Sequence, residues 1–98
     1  MVKKPEHGEK PAVPTNFKSL RTAYDGNVKL RWKGDRLTIY YQLEMLDGGG
    51  KWIVVATTSK CLHAVVGLES GKAYTFRVFA MGAAGASALS DSVTAKAA

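Results

Sequence analysis

The sequence predicts an all-β protein, an antiparallel sandwich of seven short strands, on three observations. Apolar and polar residues alternate over most of residues 14–97, the period of a strand with one buried and one wet face. Turn chemistry interrupts that alternation about every ten residues. Nowhere does an apolar period of about 3.6 persist behind a capping residue, so no helix is expected.

Each element follows in order. Residues 1–13 read as a flexible linker, with Lys3, Lys4, Lys10, Glu6, Glu9, Pro5 and Pro11 and little apolar surface to bury. Pro14 opens the folded domain, residues 14–98, since proline is tolerated at the first residue of a strand. Thr15 to Tyr24 forms the first strand. After Asp25-Gly26-Asn27 comes the second, with Val28, Leu30 and Trp32 alternating with Lys29, Arg31 and Lys33. Lys33-Gly34-Asp35-Arg36 separates it from the third, where Ile39, Tyr41, Leu43 and Met45 oppose Tyr40, Gln42 and Glu44. The glycines of Asp47-Gly48-Gly49-Gly50 supply the positive φ of a hairpin, and Trp52 to Thr58 is an apolar, β-branched fourth strand. Cys61 to Val66 is the fifth. Its phase stays open on hydrophobicity alone, since Leu62, Ala64 and Val66 would bury as well as Cys61, His63 and Val65. Tyr74, Phe76, Val78 and Ala80 alternate with Thr75, Arg77 and Phe79 in the sixth, and Ala88 to Ala95 gives a weaker seventh.

Composition narrows the function. Ninety-eight residues make about one domain, which excludes a two-domain enzyme, a full dinucleotide-binding fold and a (β/α)₈ barrel. Cys61 is the single cysteine, so an internal disulfide is excluded. The formal net charge of +6 favours solubility and weak attraction to polyanions. No stretch approaches the roughly eighteen apolar residues of a membrane helix. The N-terminus lacks the apolar middle of a signal peptide. Neither fact assigns a compartment, and membrane insertion is not expected.

Gly67-Leu68-Glu69-Ser70-Gly71-Lys72-Ala73-Tyr74-Thr75-Phe76-Arg77-Val78-Phe79-Ala80 is the most informative stretch. With Trp32, Tyr41-Gln42-Leu43, Lys51-Trp52-Ile53-Val54-Val55, Ala83-Ala84-Gly85-Ala86-Ser87 with Ser90, and the entrance Pro11 to Phe17, it resembles a fibronectin type III domain over residues 13–97. That resemblance implies a seven-stranded immunoglobulin-like sandwich with Trp32, Tyr41, Leu43, Leu68, Tyr74, Phe76 and Val78 in its core. It implies a tyrosine corner, with the Tyr74 hydroxyl bonded to backbone near Leu68. It also turns Cys61, His63 and Val65 inward. Its simple alanine- and glycine-rich loops look bacterial.

Catalysis finds little support. Cys61 and His63 share a strand face, but no third orienting group or oxyanion hole accompanies them. They are two ligands where zinc needs three or four. Gly48-Gly49-Gly50-Lys51 lacks the longer frame and following helix of a phosphate loop. Scattered carboxylates give no glycosidase pair. Lys33-Gly34-Asp35 resembles an adhesive tripeptide, though in a turn where such residues are common. No cofactor or metal is expected, and the chain is not read as an enzyme.

Two surfaces remain. Lys29, Arg31 and Lys33 form a basic stripe able to follow phosphates, but no aromatic side chain interleaves with it, so nucleic acid is disfavoured. Tyr40, Gln42 and Glu44 of the third strand, with Arg77 and Phe79 of the sixth, point outward together in a composition typical of interfaces. They are the candidate binding residues. The reading is a non-catalytic protein–protein interaction or adhesion module, the C-terminal domain of a larger chain. Its partner is a protein or a neighbouring domain, with weak self-association allowed. A passive spacer, or a carbohydrate-binding accessory domain of a secreted polysaccharide-active protein with Trp52 or Tyr40 as an aromatic platform, is the alternative.

Overall fold

The alternation in the second strand does what a half-buried strand requires: Val28, Leu30 and Trp32 are buried, while Arg31 and Lys33 are exposed. The computed structural model describes residues 10–20 and 22–98. Its strands are β1 (Thr15–Leu20), β2 (Val28–Lys33), β3 (Tyr40–Leu46), β4 (Trp52–Thr58), β5 (Leu62–Val65), β6 (Ala73–Gly82), β7 (Gly85–Ala86) and β8 (Val93–Lys96). One sheet has the order β1-β2-β5; the other runs β4-β3-β6-β7, with β8 also paired to β6. Every pairing is antiparallel.

The core lies between the sheets. Leu30, Leu43, Phe76 and Val78 are fully buried, and Trp32 and Tyr41 nearly so. Trp32 meets Tyr41 edge-on at 5.6 Å between ring centroids and Phe17 at 6.1 Å. Each such pair adds about 0.5–1.5 kcal/mol beyond its buried area. Gly34 is required by this packing: a Cβ there would sit 1.6 Å from the Tyr41 hydroxyl. Leu68 and Tyr74 are part-buried against the rim of the core rather than inside it. There the Glu69 N–H donates to Tyr74 Oη at 2.9 Å, the tyrosine corner implied by the resemblance.

Pairing settles the phase of β5. Leu30 faces His63 and Val28 faces Val65, and Val65 is 7% exposed, whereas Leu62 and Val66 are exposed. Other expectations need correction. The first strand ends at Leu20, not Tyr24, which lies in a turn and is exposed. Ile39 stands one residue ahead of β3 and is exposed, because Tyr41 already closes that end of the core.

The seventh strand is divided. Ser87 and Ser90 are three apart in sequence but face Ala80 and Val78, which are two apart, so one residue too many separates them for a regular ladder. Their hydroxyls compensate. The Ser87 N–H donates to the Ala80 carbonyl at 2.8 Å while the Ala80 N–H donates to Ser87 Oγ at 2.9 Å. Ser90 repeats the exchange with Val78 at 2.9 and 3.0 Å. The β6 backbone is satisfied there without a continuous partner strand.

The expected linker falls largely on residues 1–9, outside the described residues. Within the described part of that segment, Pro11 is buried and packs beside Gly82. Ala12 follows, its N–H donating to Asp35 Oδ2 at 2.9 Å.

Candidate functional site

Strand register brings the five candidate residues onto one surface, the outer face of the five-stranded sheet. Gln42 lies opposite Phe79, Glu44 opposite Arg77 and Tyr40 opposite Met81. Because alternate residues of a strand share a face, Tyr40, Gln42, Glu44 and Leu46 of β3 line up beside Arg77, Phe79 and Met81 of β6. All seven are half-buried.

The centre of the face is electrostatic. Arg77 Nε donates to Glu44 Oε1 at 2.6 Å, the one ion pair among the described residues. The guanidinium then continues across the sheet and covers the Trp52 ring, 4.0 Å from its centroid. Opposed charges facing each other across strands contribute about 0.2–1 kcal/mol. Cation–π stacking at a partly exposed site adds about 0.5–1 kcal/mol. Arg77 is thereby fixed by two contacts, one to Glu44 and one to Trp52.

Trp52 is the part of this surface that sequence reasoning did not join to it. The run Trp52 to Val55 is apolar at every position, so alternation assigns no outward residue. A register shift between Leu43 and Glu44 makes the assignment in the structure, pairing Glu44 with Val54 and Leu46 with Trp52 on the outer face. Val54 is exposed and extends the apolar area. Of the two aromatic residues named for a sugar platform, Trp52 has Arg77 over one face of its ring.

The remaining candidates are placed elsewhere. Cys61 Sγ donates to Tyr41 Oη at 3.6 Å; burial, with this contact second, holds the Tyr41 phenol above its ordinary value. Among the described residues no three His, Cys, Asp or Glu side chains come together as metal ligands. The glycine hairpin is organised from within, Asp47 Oδ1 accepting from the Gly49 and Lys51 N–H groups at 2.8 and 2.9 Å. Asp35 of the Lys33-Gly34-Asp35 turn is likewise engaged, accepting from Ala12 N–H, Leu37 N–H and Thr38 Oγ1. Those bonds, the Ala12 donor first, hold its carboxyl below the ordinary 3.8. Lys29, Arg31 and Lys33 lie on the opposite side of the molecule, outward on the three-stranded sheet.

No family model matches the chain. Solved structures do resemble it. FN3tt has a TM-score of 0.78 at 22% identity, covering 88% of this chain and 92% of that one. An Fn3-like protein from Clostridium thermocellum has a TM-score of 0.75 at 19% identity, again over 88% and 92%. The twitchin kinase region from C. elegans has 0.75 at 27% identity, over 86% of this chain but only 16% of that longer one. The chain has the fibronectin type III fold.

Proposed function

We propose that the chain is a non-catalytic recognition module that binds a protein surface, a partner or a neighbouring domain, through the outer face of β4, β3 and β6. The observation that carries this reading is the Glu44–Arg77–Trp52 stack, set within Tyr40, Leu46, Val54, Phe79 and Met81. Aromatic, methionine and arginine side chains around a fixed charge are the composition enriched where proteins meet. A similar fold forms part of a much longer chain in the twitchin kinase region, which is consistent with a tethered module. Fold alone does not supply the role, which rests on this face.

The test is capture from cells that produce the protein, with the wild-type chain and a Tyr40→Ser/Phe79→Ser variant as baits and thermal unfolding as the folding control. A protein retained by wild type and lost by the variant supports the reading. Equal retention by both folded baits, or none by either, overturns it.

A further inference from the structure

The other sheet carries a surface of opposite character. β1, β2 and β5 contain Lys18, Lys29, Arg31 and Lys33 and not one Asp or Glu. Lys29, Arg31 and Lys33 occupy alternate positions of one strand, so about 13 Å separates the outer two along the strand axis. Lys18 is the cross-strand partner of Arg31. The described residues supply no ion-pair partner for any of the four. Two open grooves share Arg31 and Lys33. One, of about 220 Å³, is lined by Asn16, Lys18, Arg31, Trp32 and Lys33. The other, of about 430 Å³, crosses β2 from Leu20 of β1 to Leu62 of β5 and takes in Lys29, Arg31, Trp32 and Lys33.

We infer that this face is a binding surface for a linear acidic polysaccharide, its sulfates or carboxylates following Lys29, Arg31 and Lys33. Like charges gathered on one strand repel each other and contribute nothing to holding the sheet together, and a chain with an anion on each repeat relieves that repulsion. Arg31, which lines both grooves, presents a planar fork that matches sulfate or carboxylate. Nucleic acid fits less well. A single strand gains its affinity from stacking on exposed aromatic rings, and β1, β2 and β5 offer none: Trp32 borders both grooves but is only 3% exposed, and Phe17 packs against it edge-on. A flat sheet face also does not enter a duplex groove. An acidic peptide would seek the backbone of a sheet edge, whereas the cations sit on β2, which is paired on both sides.

The experiment measures binding of the full chain to dextran sulfate, oligothymidylate and polyglutamate at about 0.1 M salt, where screening reaches about 10 Å. Two triple variants remove three charges each: Lys29→Gln/Arg31→Gln/Lys33→Gln on the face, and Lys10→Gln/Lys51→Gln/Lys72→Gln off its strands. The face triple is expected to weaken dextran sulfate binding about tenfold or more, and the control less than about twofold, because bound anions release counterions locally. Arg31→Gln alone is expected to cost about threefold, which keeps the test open should the triple unfold. Absence of binding, losses in the two triples within about threefold of each other, or tighter binding of either other polymer overturns the proposal.

Discussion

The two outer faces of this sandwich are built on the same core and differ in how they treat charge. On the β4-β3-β6 face, one cation stands opposite one anion and lies on an indole, so the charges are consumed by the sheet that carries them. On the β1-β2-β5 face, Lys18 stands opposite Arg31, and Lys29 and Lys33 lie two residues to either side. The first arrangement stabilises its sheet; the second opposes it. Residues that cost stability without structural return are the ones a ligand most readily explains.

Trp32 offers the largest perturbation because both faces rest on it. Trp32→Ala should cost about 3–5 kcal/mol in denaturant unfolding, enough to disturb both surfaces together. Trp32→Phe should cost markedly less, since the indole Nε1 is buried with no partner among the described residues and its loss forfeits no hydrogen bond. If the two variants were equally destabilised, an unseen partner of that N–H would be indicated.

A second perturbation acts on one sheet alone. Ser90→Ala strips the acceptor from the Val78 N–H and should cost about 1–3 kcal/mol, with faster hydrogen exchange at that amide. The β1-β2-β5 amides should keep their protection relative to global unfolding.

The sharpest form of the comparison is one of sign. A double-mutant cycle of Glu44→Ala and Arg77→Ala should return a favourable coupling of about 0.5–1 kcal/mol. Lys18→Gln should instead raise stability by a few tenths of a kcal/mol, about the size of a like-charge cross-strand pair, and the gain should fade in high salt. Destabilisation by Lys18→Gln would break the contrast between the faces.

The smallest effect concerns Asp35, which both faces leave aside. Its carboxyl titrates below 3.8 in the folded chain, so the stability it contributes is present above the unfolded value and lost as pH falls through the folded one. Amide resonances of Ala12 and Leu37, whose N–H groups it accepts, should shift together with a midpoint under 3.8. A midpoint at or above that value would show the Ala12 tether absent in solution.

How much of this was legible in the sequence varies with the kind of signal. Trp32, Tyr41, Leu43, Phe76 and Val78 announce themselves, because a strand wet on one side must alternate. Tyr74 is legible by its place in a corner motif, and β5 only by that same resemblance, since its pattern accepts either phase. The place of Trp52 on the face of Glu44 and Arg77 was hidden by a run apolar at every position, where a shift in register decides the outward side. The divided seventh strand was hidden for another reason. Alternation reports side chains meeting a core, whereas Ser87 and Ser90 act by taking a neighbouring strand's backbone protons. The pairing of Glu44 with Arg77 follows from register, but the reach of Arg77 to Trp52 needed three strands in place at once.

Those two serines carry a consequence for how the molecule tolerates change. Because β6 is finished at two separate clasps and not along a continuous zip, Ala88 and Leu89 between them make no contribution to the ladder, and Leu89 is exposed. The span between the clasps is therefore a place where length and composition can drift while the fold stays shut, provided each hydroxyl stays at its post. In evolutionary terms it is a permissive window, next to the rigid strand that bears Arg77 and Phe79. New specificity could be added there without first weakening what already exists.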